Sequence, residues 1–285
     1  MKQFSSFEKQ VFNWIVIVIA VVAVLCNGLL FQLALRLQHR TAELKLAVIL
    51  ACVDMTIAIL CISSSFFTNQ NLNNTDRLQL LCRFKGPVDF LLLYSSFLLV
   101  ALIAMERFSK VRDSSISLWV WILLSIYTAT FTSLVLITAV RSEFYLSPSG
   151  IDCNTIPEVS VFSFAVLIGF GGFMFISLLV TLYCYMDILG YVRETSSKAR
   201  TTHKHVLARA IIICGIYLLL IVPCSILITV EATYKYNALN RISLAITFLV
   251  NLNIVANACI TLFAHSLIFD QLRQTLPFTV KCNNQ

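Results

Sequence analysis

The sequence predicts an all-α protein, a bundle of seven membrane-spanning helices with a short amphipathic helix after the seventh. Three observations point there. Of 285 residues, 59% are hydrophobic and only 12% charged, about half the ~25% that coats a soluble domain. The apolar residues gather in long unbroken runs, not the short alternating segments of an outer-membrane barrel, and such hydrophobicity excludes a disordered chain. The net charge of +7 is spread over loops, not gathered on one folded face, which argues against a nucleic-acid partner.

The first run, Val11–Leu37, carries Asn27 at its middle. It is too long for a cleaved signal peptide and lacks a small-residue cleavage site, so it reads as the first span. The second, Leu44–Thr68, has Asp54 at mid-membrane, where a carboxylate costs about 2.5–3.5 kcal/mol and must face the bundle interior. The third, Arg83–Phe108, carries Asp89 near its outer end, Ser96 at mid-depth and Glu106-Arg107 at its inner edge. Asp89 and Arg107 are five helical turns, about 27 Å, apart on one face. The fourth is Ile116–Val140 and the fifth Val159–Leu189. The sixth, Val206–Thr233, is broken by Pro223, which kinks a membrane helix and frees a carbonyl that neighbours satisfy. The seventh, Ala238–Phe263, places Asn253 and Asn257 four residues apart on one face. Residues Ser266–Leu276 segregate Leu267, Ile268, Leu272 and Leu276 from Asp270, Gln271, Arg273 and Gln274, a pattern that lies along a leaflet. Spans and loops fill residues 1–285, read as one domain.

Orientation follows from loop charge. With the N-terminus outside, thirteen of the 21 Lys and Arg fall on the inner side, as the positive-inside rule asks. The acceptor pattern Asn73-Asn74-Thr75 then falls outside, where Asn73 is open to glycosylation.

Asp54, Ser96, Asn253 and Asn257, with Asn27 at similar depth, form either an oxygen site for a small cation or a hydrogen-bonded glue around a protonated Asp54. Asp89 either counters a cationic ligand or is hydrated or paired with Arg83 or Lys85. Glu106-Arg107 alone is an ordinary solvated helix end. Cys82 and Cys153 lie on the oxidising side, where a disulfide is permitted. Of the other eight cysteines, seven lie in spans as packing residues. Cys282 follows the last helix, either palmitoylated or a free thiol. No CxxC or Cys/His metal spacing occurs, and the four histidines sit at inner ends, so an enzyme is not expected.

Along the chain these residues run Asn27; Leu50 four before Asp54; Cys82 25 residues before Arg107; Glu106-Arg107-Phe108; Trp119 or Trp121; Pro223; Asn253; and Asn257-Ala258-Cys259-Ile260-Thr261. Over its whole length the chain resembles the rhodopsin-like (class A) G-protein-coupled receptors. That family has an Asn in helix one, Leu-x-x-x-Asp in helix two and a Cys ahead of Glu/Asp-Arg-Tyr in helix three. It has a Trp in helix four, a proline in helix six and Asn-Pro-x-x-Tyr in helix seven. The departures are Phe108 for Tyr, Ile221 for the Trp before the helix-six proline, Ala258 for Pro and Thr261 for Tyr. Helix five lacks its proline, although Tyr183 or Tyr185 matches its inward Tyr. The departures suggest a divergent member.

The resemblance implies a plasma-membrane receptor with an extracellular small-molecule or peptide ligand, a heterotrimeric G protein within, lipid contacts and no nucleic acid. A sodium ion would sit among Asp54, Ser96, Asn253 and Asn257. Asp89 matches the ammonium anchor of amine receptors, with Asn251 in place of the Tyr that orients it. Helix six would swing about Pro223, freeing Arg107 from Glu106 to face the G protein, with Asn257 and Tyr185 in the switch. His203 stands where many relatives hold an acid that locks to this Arg, so that lock is expected absent and basal activity raised. Retinal is excluded, because span seven has no Lys. The basic loop of Arg193, Lys198, Arg200 and Lys204 suits acidic lipid heads or a G protein. Competing readings are a small transporter or channel using Asp54 and Asp89, for which no internal repeat is found, and a weakly signalling pseudo-receptor, given Ala258 and Thr261.

Overall fold

A computed structural model describes residues 6–37, 41–71, 74–146, 153–155, 160–195, 212, 215–216, 218–223, 225–227 and 240–264. Its elements are α1 (Ser6–Arg36), α2 (Ala42–Gln70), α3 (Thr75–Arg112), α4 (Leu118–Val140), β1 (Phe144–Leu146), β2 (Cys153–Thr155) and α5 (Val161–Thr195). Then come α6 (Leu218–Leu227) and α7 (Asn240–Ala264). Among the described residues six helices are long and apolar enough to cross a membrane. Of the expected sixth span, the described residues 212, 215–216, 218–223 and 225–227 are all helical. Asn73, His203, Cys282 and the amphipathic stretch 266–276 lie outside the described residues.

Outside the sixth span, boundaries fall within a few residues of expectation except at α3, which starts at Thr75 and not at Arg83. Apolarity marks only the part of a helix in lipid. The turns before it are polar but helical, capped by Asn74, whose side-chain oxygen accepts from the Arg77 amide at 3.2 Å, with Asp76 at the positive end of the dipole. α3 ends where Asp113 turns left-handed at φ 49°, its amide donating to the Ser109 carbonyl. At α2, Thr41 caps the Leu44 amide at 3.3 Å.

The all-α expectation also gains a small sheet. β1 and β2 pair antiparallel, Phe144 opposite Thr155 and Leu146 opposite Cys153, in a segment read as loop. Three-residue strands are too short to show alternation.

α3 is the central helix, packed on α2, α4, α5 and the hairpin, while α1 packs on α2 and α7. Small buried residues, Ala20, Ala23 and Ala58 among them, let α1, α2 and α7 approach closely. The outward surface is apolar. On α4 only Phe131, Val135 and Thr138 are buried, while Leu118 and Trp119 are 72% exposed and Trp121 43%. So large an apolar surface has lipid as its solvent, and the protein is a multi-pass membrane protein.

Candidate functional site

Two spacings set the site. Glu43 and Asp54 on α2 are 11 residues apart, as are Ser96 and Arg107 on α3. Eleven residues are about three helical turns, so each pair shares a face about 16 Å long. The two helices run antiparallel, and the faces meet at both levels: Asp54 with Ser96, Glu43 with Arg107.

At the first level, mid-span, Ser96 Oγ donates to Asp54 Oδ1 at 2.7 Å. Asn257 Nδ2 donates to Asp54 Oδ2 at 3.0 Å and to Ser96 Oγ at 3.2 Å. Asp54 is completely buried, and Ser96, Asn253 and Asn257 nearly so. Asn27 donates to the Ala23 carbonyl at 3.0 Å and the Ile254 carbonyl at 3.4 Å, tying α1 to α7. Asn253 Oδ1 and Asn27 Oδ1 are buried without a hydrogen-bond partner among the described residues. Three of the four residues expected in a cation site are thus joined by hydrogen bonds. The oxygen of the fourth, Asn253, is left unsatisfied, a costly state in a dry interior. No group of three or more His, Cys, Asp or Glu able to hold a metal occurs among the described residues.

At the second level the expected partner is replaced. Arg107 does not pair with Glu106, which reaches one turn onward to Lys110 at 3.4 Å. Arg107 Nε donates to Glu43 Oε1 at 2.6 Å, and Nη1 donates to the Tyr185 hydroxyl at 2.6 Å. The reason is direction: Glu106 lies one residue, about 100°, round the helix from Arg107, whereas α2 and α5 flank the Arg107 face. Tyr185 is buried and Tyr183 is 64% exposed, so Tyr185 is the inward tyrosine. Arg107, Tyr185, Thr181 and Thr261 line a cavity with Leu50, Val100, Ile103 and Ile260 that offers about 20 Å³ to the centre of a water molecule. Thr261, at the position of the missing tyrosine, donates to the Asn257 carbonyl at 2.8 Å. Nearby, Arg112 binds Asp187 of α5 through two nitrogens at 2.6 and 2.7 Å and lies over the Tyr191 ring.

At the other end of α3, Asp89 is paired with Lys85 one turn earlier, both side chains mostly covered. Its Oδ1 is buried without a hydrogen-bond partner among the described residues. Asn251 donates to the Thr247 carbonyl on its own helix at 2.8 Å, and no hydrogen bond joins it to Asp89. Pairing with Lys85, one of the alternatives open for Asp89, is what the fold adopts.

The hairpin is fastened over this end. Cys82 and Cys153 form a disulfide, Cα–Cα 5.0 Å. Gln79 donates to the Phe144 carbonyl at 2.9 Å. The fully buried Phe144 ring lies on Gly86, where a Cβ would come within 2.4 Å of it, and edge-on to Phe90. Glu143, buried, accepts from Arg141 Nε at 2.5 Å, Ser163 Oγ at 2.8 Å and Ser160 Oγ. Burial pushes its carboxyl up, but the hydrogen bonds from Ser160, Arg141 and Ser163 outweigh burial and hold it below the ordinary 4.5. Below, Tyr94 stacks with Phe131 and Phe173 at 4.7 and 4.2 Å and bonds Thr128 at 2.8 Å, filling the α3–α4–α5 corner with rings.

Pro223 sits exposed in α6 and Ile221 is buried. Glu43, Glu143 and Phe144 are the residues that sequence reasoning missed. Only Glu43 left a signal, its 11-residue spacing from Asp54.

Comparison with known proteins follows this geometry. The family described as 7 transmembrane receptor (rhodopsin family) matches residues 26–261. The fold is similar to the crystal structure of squid rhodopsin, with a TM-score of 0.69 over 99% of this chain and 89% of that one, at 13% sequence identity. Comparison with curated protein sequences gives no match.

Proposed function

Because this chain belongs to the rhodopsin family of seven-transmembrane receptors, we propose that it is a plasma-membrane receptor that binds an extracellular ligand and activates a heterotrimeric G protein. The observation that carries this reading is Arg107, a largely covered cation at one end of the bundle, held by residues of two neighbouring helices beside a small cavity. A charge so placed changes exposure when those helices part. A ligand drives that parting only by binding the open state more tightly. Pro223 would act as the pivot of helix six.

The disulfide at the Cys82 end supports an outside location for that end, since such bonds persist in oxidising compartments. Asn73 would carry its glycan there, and Cys282 its acyl chain on the opposite side. Asp89 is already matched by Lys85, which favours a ligand that offers a hydrogen-bond donor to Asp89 Oδ1 over one that needs a bare carboxylate. Asn251 would be its second polar contact. Between the two ends, one carboxylate, one hydroxyl and the unsatisfied Asn253 oxygen suit a small monovalent cation such as sodium, since divalent sites draw on more oxygen ligands and charge.

The test is a ligand screen on the full chain with nucleotide exchange on the G protein as readout. Arg107→Ala abolishes ligand-dependent exchange while surface expression persists, and retained exchange overturns the role. Asp54→Asn removes any sodium dependence of agonist affinity, and unchanged dependence overturns the ion site.

A further inference from the structure

We propose that Glu43 is the carboxylate that locks Arg107 in the resting state, a restraint supplied from the start of α2. The proposal rests on the receptor reading above and names how that site is regulated. Of the two glutamates close to Arg107, Glu106 is committed to Lys110. His203 stands where many relatives hold an acid that locks to this Arg. The expectation of an unlocked Arg107 was drawn from that histidine, yet the guanidinium has found an acid on another helix.

Three features make the contact a restraint. Both side chains are mostly covered, Arg107 16% and Glu43 15% exposed, so their attraction is weakly screened and separating them leaves an uncompensated charge. The Tyr185 hydroxyl holds the guanidinium from the α5 side, fixing its direction. The adjoining cavity is lined mostly by Leu50, Val100, Ile103 and Ile260, which offer a displaced guanidinium no second carboxylate. Arg107 therefore leaves Glu43 only when the helices around it separate, and the strength of the pair sets how often that happens without ligand. Glu43 acts through Arg107 and is a positioning residue.

The test uses the full chain in lipid nanodiscs with purified heterotrimeric G proteins, and follows GTPγS loading with no ligand added. Glu43→Gln raises basal loading about fivefold or more, the low end of ordinary coupling between sites. Glu43→Asp restores loading toward wild type. The gain vanishes in the double variant Glu43→Gln/Arg107→Gln, because the released group is Arg107 itself. Melting temperatures of the two single variants and the double are non-additive if the pair exists. Basal loading that stays level or falls in Glu43→Gln, where wild type loads, overturns the lock, as do additive melting effects. Loading absent from wild type and every variant, with non-additive melting retained, brings down the receptor reading and the lock's role with it.

Discussion

The two ends of α3 are held by different chemistry. At the Cys82 end the hairpin is fixed by a covalent bond, by a ring seated on a glycine and by a buried glutamate with three donors. At the Arg107 end α3 meets its neighbours through two ion pairs, Arg107 with Glu43 and Arg112 with Asp187, beside a small cavity. A disulfide and a packed ring cannot exchange partners as the protein moves. Ion pairs can separate and re-form. One end is therefore a rigid platform and the other a set of releasable contacts, the division that a signalling bundle needs.

The largest test of this contrast removes the covalent bond. Cys153→Ser lowers stability by about 2–5 kcal/mol, read by thermal unfolding in nanodiscs. An unchanged melting curve would break the contrast. Next, Gly86→Ala drives a methyl into the Phe144 ring and costs about 1–3 kcal/mol by overpacking. Combining it with Phe144→Leu recovers part of that loss, and no recovery means the ring is not the obstacle. At the Arg107 end, Arg112→Ala costs less than either of these, since that pair is partly exposed. The cost shrinks further in high salt. A cost matching that of Cys153→Ser would erase the distinction. The smallest effect is on pH. The Glu143 carboxyl is held below its ordinary 4.5, so its contribution is fully present above that value and is lost as pH falls through the folded value. The hairpin loosens under acid. Glu143→Gln flattens that acid limb, as hydrogen exchange of β1 reports.

What the sequence made legible follows the same division. Asp54 is readable because a charge in lipid must have partners, and Ser96, Asn253, Asn257 and Asn27 are the polar groups at its depth. The structure joins Ser96 and Asn257 to it directly. Glu43 was not readable as a site residue because an acid at a helix end has a bland explanation, hydration. Its meaning appears only when the matching spacings on α2 and α3 are laid side by side. The hairpin was illegible for a different reason: strands of three residues carry no period, and Phe144 is buried by a glycine on another element. In the sequence Asp89 stays open between a cationic ligand, hydration and pairing with Arg83 or Lys85, and only side-chain placement decides.

The most direct test of the account is hydrogen–deuterium exchange along α3 in nanodiscs, with and without a nucleotide-free heterotrimeric G protein. The account predicts altered exchange at the Arg107 end, residues 104–112, and in the first turn of α2 around Glu43. Residues 75–90 under the hairpin stay unchanged. Altered exchange confined to residues 75–90, with none around Arg107 and Glu43, would contradict it.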